Sequence, residues 1–213
     1  MHVLIVYAHL EPTSFTAALK DAAVAEIVAG GHSVEVSDLY ASRFDPVAGR
    51  HDFISVADPL RFHYQTEQAE AAAKHAYTEA LVVEQDRVRR ADLIVFAFPL
   101  WWGGPPAILK GWIDRVLSYG FAYIDGERFE SGRFKGKLGL LCVSTGGTEE
   151  RFSPSGAYGP VEKVLWPLQH LTLEYMGLSA LDPFVAYAAP RVDAVARAAY
   201  VRAWRDRIRR VLS

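Results

Sequence analysis

The chain predicts an α/β fold, a parallel sheet with helices on both faces, from three observations. Apolar runs rich in β-branched residues alternate with segments of helical period along the 213 residues. Three of those runs, Val3–Ala8, Leu93–Phe98 and Leu138–Ser144, are almost continuously apolar, as strands covered on both faces must be. Three loops of unusual composition follow the ends of those same runs, where open α/β sheets bind their ligands.

The remaining elements follow in order. Ser33–Asp38 reads as a second strand, and Leu181–Tyr187 as a fifth. Phe15, Leu19, Ala23 and Ile27 form an i+4 row that stops at Gly30-Gly31. An Ala-rich stretch with mixed Glu and Arg predicts a helix over Glu67–Arg90. Pro106–Ser118 reads as a third helix, with proline near its first turn, and Val161–Met176 and Asp193–Leu212 as the fourth and fifth. Tyr40–Tyr64 has no clear period and is too long for an ordinary connection, so it is either a functional flap or partly helical. Arg202, Arg205, Arg207, Arg209 and Arg210 suit a solvated helix face near a helix C-terminus.

Composition narrows the function. The length fits one domain, residues 1–213, with a sizeable core. At 51% hydrophobic and 23% charged residues the chain is of ordinary globular type, and a net charge of −2 points to neither nucleic acid nor an anionic membrane as partner. The single cysteine, Cys142, gives no disulfide and no metal spacing and reads as a small buried hydrophobe. No basic leader precedes the first apolar run, and LIVFAFPLWW is about half of a membrane span. A soluble, cytoplasmic protein without membrane insertion is expected.

The chemistry gathers in AHLEPTSF, FPLWWGGPP and STGGTEERF. The first lacks the glycines of a dinucleotide-binding turn. It offers His9, Thr13, Ser14 and Thr16 at a helix N-terminus, where hydroxyls and free N–H groups hold phosphate; Thr13 or Ser14 would serve equally as a simple N-cap. Trp101 and Trp102, followed by Gly103 and Gly104, suit a flat heterocycle better than a core position. Ser144-Thr145-Gly146-Gly147 is either an anion-binding nest or a tight turn.

Together with DLYASRFDP, GFAY and WPLQ, these strings resemble the NAD(P)H:quinone oxidoreductase family of DT-diaphorase type over residues 3 to 187, and FPLWWGGPPAILKGW is the most distinctive of them. The resemblance implies a flavodoxin-like three-layer α/β/α fold whose five-stranded parallel sheet has the order 2-1-3-4-5. It implies tightly bound FAD (FMN being the alternative), NAD(P)H as co-substrate, ping-pong two-electron transfer to a quinone-like acceptor, and a homodimer with the sites at its interface. Position by position, His9, Ser14, Phe15 and Thr16 would hold the phosphates and nucleotide part. Pro99, Leu100, Trp101, Trp102 and Gly103 would line the ring system, and Ser144, Thr145, Gly146 and Gly147 would hydrogen-bond its polar edge. His63 stands where the family has a glutamine, and Arg197 matches an arginine near the adenine. Trp102, Gly103, Tyr123, Tyr158 and Tyr175 would face the substrate, Tyr123 and Tyr175 from the partner subunit.

Three departures carry weight. Gly103 replaces an aromatic, which should open the pocket. Phe152 and Tyr158 replace a tyrosine and a histidine that support charge in the family. Phe152 has no hydroxyl, so Tyr158 is the remaining acid–base candidate, with the Gly146 and Gly147 N–H groups as electrostatic stabilisers. Two other functions fit the same fold: a regulatory subunit of a potassium-efflux system, and a non-enzymatic flavin carrier.

Overall fold

The structure, a computed structural model, describes residues 1–213. Strands β1 (His2–Tyr7), β2 (Ser33–Asp38), β3 (Leu93–Pro99) and β4 (Leu138–Ser144) run parallel in the order β2-β1-β3-β4. Val3 lies opposite both Val34 and Leu93, and Leu93 opposite Leu138. The expected fifth strand is divided. Ser179–Ala180 (β5) pairs with Leu138–Gly139, and Phe184–Ala186 (β6) pairs with Cys142–Ser144, both parallel to β4. Pro183 lies between the two pieces and has no N–H to give to the ladder, so pairing lapses there and resumes. The order 2-1-3-4-5 therefore holds, with two short pieces sharing the last place.

Alternation along the strands builds two cores. Leu4 and Val6 of β1 turn to one face with Ile94, Phe96 and Trp112, while Val3, Ile5 and Tyr7 turn to the other with Leu19, Ile27 and Trp204. Helix α1 (Phe15–Ala29) covers the second face beside the C-terminal helix (Ala194–Leu212), whose Trp204 Nε1 donates to the Leu19 carbonyl at 2.9 Å. The first face carries α2 (Tyr64–Lys74), α3 (Glu79–Arg90), α4 (Ala107–Val116) and α5 (Val161–Leu168), and the C-terminal helix is α6.

Two of the expected helices are modified. The expected helix over Glu67–Arg90 breaks into α2 and α3 at His75, which adopts the left-handed conformation with φ 53°. The break lets Tyr77 bridge to Phe53 and bury its ring. The Tyr77 hydroxyl donates to Ser118 Oγ at 2.8 Å, and burial pushes its pKa up to about 12. The expected helix over Val161–Met176 stays helical but changes pitch. After Pro167 it widens into a π-turn at Gln169–Leu173, then tightens at Glu174–Met176.

Tyr40–Tyr64 is a strap that opens on turns closed by Arg43 N to Tyr40 O and Phe44 N to Leu39 O and has one short 3-10 helix at Arg50–Asp52. Asp52 is fully buried and accepts hydrogen bonds from Arg115 Nε at 2.9 Å and from the Tyr64 hydroxyl, and Arg115 also reaches the Asp45 carbonyl. The strap's buried carboxylate is satisfied inward by Arg115 of α4, which makes it a structural cover over that helix.

Candidate active site

The carboxyl ends of β1, β3 and β4 open into two cavities of about 310 and 610 Å³ that share Leu100, Thr145 and Gly146. The smaller lies over the start of α1 and is lined by His9, Ser14, Phe15, Thr16, Pro99, Trp101 and Arg197. The larger is walled by Trp102, Gly103, Gly147, Phe152 and Tyr158. Parallel pairing brings the three loops together, because each leaves a neighbouring strand at the same end of the sheet.

The first loop is shaped by the helix it starts. Ser14 is the N-cap of α1, its Oγ accepting from Ala17 N at 3.1 Å. The next N–H groups, those of Phe15 and Thr16, find no partner in the chain, and the first turn holds no acidic residue. Both N-terminal donors and the positive end of the helix dipole therefore stay available to an anion. His9 accepts at Nδ1 from Glu11 N at 3.0 Å, which leaves the proton on Nε2. Burial lowers the pKa of its imidazole, so the ring is a neutral donor at neutral pH. Thr16 and Ser144, both buried, join their hydroxyls at 2.7 Å and so tie α1 to the end of β4.

The second loop is a two-residue hairpin. Trp101 and Gly104 exchange both backbone hydrogen bonds, at 2.9 and 3.0 Å, around Trp102 with φ 51° and Gly103 with φ 75°. Two successive left-handed residues are the pattern of a type I′ turn, where glycine fits the second place without strain. A β-carbon at Gly103 would meet nothing within 4 Å, so the space is open as expected, but the backbone itself also calls for glycine. Trp102 is fully exposed on that strained backbone, while Trp101 packs its ring against His9 with centroids 6.2 Å apart.

The third loop corrects one expectation. Of the two N–H groups expected to face the ring's polar edge, that of Gly147 donates to Thr145 Oγ1 at 3.1 Å and is already engaged. The N–H groups of Gly146 and Thr148 are the ones left free. Gly147 is a packing requirement instead, since a β-carbon there would come within 2.5 Å of the Phe152 ring and 3.1 Å of Tyr158. Phe152 and Tyr158 pack at 5.2 Å between centroids, and Arg151 donates to the Tyr158 hydroxyl at 3.0 Å.

A family model described as a flavodoxin-like fold matches residues 1–208. The chain is 44% identical over 210 residues to a ribosyldihydronicotinamide dehydrogenase [quinone] of Pongo abelii, covering 98% of this chain and 91% of that one. It is 40% identical to NAD(P)H dehydrogenase [quinone] 1 of Cavia porcellus, covering 98% and 76% of the two chains. A crystal structure of a candidate quinone reductase from Klebsiella pneumoniae superposes with a TM-score of 0.95 at 37% identity, covering 99% of this chain and 85% of that one. This chain belongs to the flavodoxin-like quinone reductase family. Similarity to a potassium-efflux ancillary protein of Enterobacter, 38% over 128 residues, covers only 60% of it.

Within this family member, three expected site residues stand apart from the two cavities. His63 is the exposed N-cap of α2, its Nδ1 accepting from Thr66 N. Its ring lines neither cavity, because the helix it caps lies on a side face of the sheet. Tyr123 and Tyr175 face each other at 5.7 Å, and Tyr175 also meets Phe129 at 5.5 Å, but neither lines the site of its own chain. Conversely, Ala189, Pro190, Arg151, Val164 and Arg191 line the cavities without having been singled out. The two arginines carried a usable signal, since Arg151 follows the STGG string and Arg191 follows a proline at a strand exit. No helix is long and apolar enough to cross a membrane, and no cluster of three or more His, Cys, Asp or Glu side chains is placed to hold a metal ion.

Proposed function

We propose that this chain is a flavin-dependent oxidoreductase that moves two electrons from NAD(P)H to a quinone-like acceptor, with FAD as the flavin and a homodimer as the working form. The observation that carries the reading is the set of unpaired N–H groups at Phe15, Thr16 and Gly146, which line two joined cavities at the carboxyl end of the sheet. Donors left open in this way suit a phosphate at one end and the electron-rich edge of a flat ring at the other, so the residues present fit a flavin. Bound there, the flavin supplies hydride acceptance from the nicotinamide and hydride delivery to the acceptor.

The chain's own part is binding and orientation. Phe15 and Thr16 N–H groups hold phosphate, with His9 Nε2–H as a further donor. Trp101, packed on His9, walls the smaller cavity, and the Gly146 N–H, shared by both cavities, meets negative charge as it develops. Arg191 donates to the Gly146 carbonyl, which fixes that peptide's orientation. Tyr158 Oη accepts from Arg151, so its own proton stays directed elsewhere and can be given within the cavity. FAD is favoured over FMN because the smaller cavity runs past the start of α1 to Ala189, Pro190 and Arg197, whose guanidinium lies 5.3 Å from the Phe15 ring.

Homodimer formation is supported by a belt of partly exposed aromatics, Tyr123, Phe129, Tyr175 and Trp166, that a second copy would cover. The partial reach of the potassium-efflux similarity places a regulatory role second. The test is to purify the protein, release and weigh its flavin, and measure its mass by light scattering. Steady-state rates with NADPH, NADH and dihydronicotinamide riboside against a quinone complete it. A yellow dimer containing FAD that turns over quinone is expected. A protein that takes up no flavin would overturn the reading, and a flavoprotein that oxidises no reduced nicotinamide would be a carrier.

A further inference from the structure

The larger cavity has apolar walls, from Leu100, Trp102, Phe152 and Val164, and no carboxylate lines it. Two arginines nevertheless enter it from different loops, Arg151 after β4 and Arg191 after β6. Several guanidinium groups elsewhere pair with acids, Arg87 with Glu84, Arg90 with Glu35, Arg115 with Asp52 and Arg209 with Glu26, while Arg197 in the adjoining cavity is held, like these two, by neutral acceptors, the Ala189 and Val192 carbonyls. Neither Arg151 nor Arg191 has a carboxylate within ion-pair distance, although Glu149 and Glu150 immediately precede Arg151. Each is held by one neutral acceptor instead. Arg151 donates to the Tyr158 hydroxyl at 3.0 Å with its guanidinium 5.7 Å from that ring, and Arg191 donates to the Gly146 carbonyl. These bonds restrain the two exposed heads and leave most of their N–H groups without a protein acceptor.

We propose that this cavity, with the flavin of the oxidoreductase reading seated on Leu100, Thr145 and Gly146, admits beside it a flat apolar ring carrying an acidic oxygen group, a carboxylate, sulfonate or phosphate, which Arg151 and Arg191 hold between them. The inference rests on the oxidoreductase reading and names its substrate class. Planar guanidinium groups match oxyanions bidentately, and two converging from separate loops around an apolar wall fix both the charge and the plane of the ring. The acidic group can belong to the electron acceptor or to the phosphates of the reduced dinucleotide, and the arms of the test separate the two.

The experiment compares wild type with the R151Q/R191Q double variant and with R151K/R191K. In the acceptor arm, kcat/KM is measured for 1,4-naphthoquinone and for 1,4-naphthoquinone-2-sulfonate with one donor. The quantity read is the ratio of sulfonated to neutral acceptor, which cancels any effect of the variants common to both. In the donor arm the ratio is NADPH to dihydronicotinamide riboside, with the neutral quinone. A fall of roughly tenfold or more in either ratio for the glutamine variant is expected, in line with charge-assisted hydrogen bonds. Partial recovery in the lysine variant and a decline of the wild-type ratio with added salt should accompany it.

The arm that responds identifies the source of the anion. Ratios unchanged in both arms, with quinone turnover intact, overturn the proposal. If no quinone is turned over, calorimetric titration of the flavoprotein with redox-inert 2-naphthalenesulfonate still decides. Binding lost in the double variant keeps the anion subsite while the oxidoreductase reading falls, and equal binding rejects the subsite. Should the double variant fail to fold, the single variants and the salt dependence of wild type decide the same question.

Discussion

The strap over 40–64 and the loops at the carboxyl end of the sheet are both irregular, yet they treat their polar groups in opposite ways. The strap is long, but its central carboxylate, Asp52, is buried against Arg115 and the Tyr64 hydroxyl. The site loops are short, and they leave the N–H groups of Phe15, Thr16, Gly146 and Thr148 unpaired and Trp102 exposed on a left-handed backbone. Irregularity alone therefore says little about function. A segment that closes its own hydrogen bonds holds the fold, and one that leaves them open is built for something else.

The largest test of that contrast is Arg115→Met. It strands the Asp52 carboxylate at a site with no solvent exposure, and loss of one partner of such a pair costs about 3–5 kcal/mol. Urea unfolding should show that loss, while flavin bound per folded molecule stays constant. A drop in flavin content of the folded fraction would mean that the strap belongs to the site after all.

Gly147→Ala should come next. Its β-carbon would strike the Phe152 ring, and overpacking of this kind costs about 1–3 kcal/mol. The strain falls on the cavity wall, so flavin retention on gel filtration should fall together with stability. Adding Phe152→Leu should restore much of both. If the double variant is as weak as the single one, the steric account fails.

Gly103 and Trp102 sharpen the comparison further. Gly103→Phe places a side chain at φ 75°, at a cost of about 1–2 kcal/mol. Trp102→Asn puts a residue tolerant of that region at φ 51° and should raise the melting temperature slightly. The same Trp102→Asn change should raise the acceptor KM, because the exposed indole is held there at the expense of stability. A stabilised variant with unchanged KM would remove Trp102 from the substrate cavity.

The smallest effect concerns pH. Burial depresses the His9 pKa, so the unfolded chain binds the proton more readily than the folded one. The stability His9 contributes is complete above its unfolded value, about 6.5, and is lost as pH falls through the lower folded value. His9→Gln should flatten this acid limb of the unfolding curve measured between neutral and mildly acidic pH. An unaltered limb would place the titration elsewhere.

Much of this architecture was legible because burial on both faces leaves a plain trace. Ser33–Asp38 and Leu138–Ser144 begin and end where the pattern of the sequence puts them, β1 is shifted by one residue at each end, and β3 runs one residue further. The three loops converge as expected, since parallel strands must deliver their exits to one end. What could not be read was tertiary in origin. His75 turns left-handed because Tyr77 is drawn inward to Phe53 and Ser118, and no local propensity announces it. The engagement of the Gly147 N–H depends on the Thr145 hydroxyl two residues earlier, a matter of one rotamer. Arg151 and Arg191 are loop arginines without period, and only their convergence on one apolar cavity sets them apart from the solvated arginines of α6.

Cys142 has a consequence for survival in the presence of the proposed acceptors. Quinones are electrophiles that add to thiolates, and an enzyme turning them over is exposed to alkylation by its own substrates. The chain's only sulfhydryl sits in the middle of β4 with no solvent exposure, and burial drives its ionisation far above the ordinary thiol range. A thiol that is neither reachable nor ionised cannot be the nucleophile in such an addition. By keeping its one thiol inside the sheet, the fold gives such electrophiles no thiolate to attack.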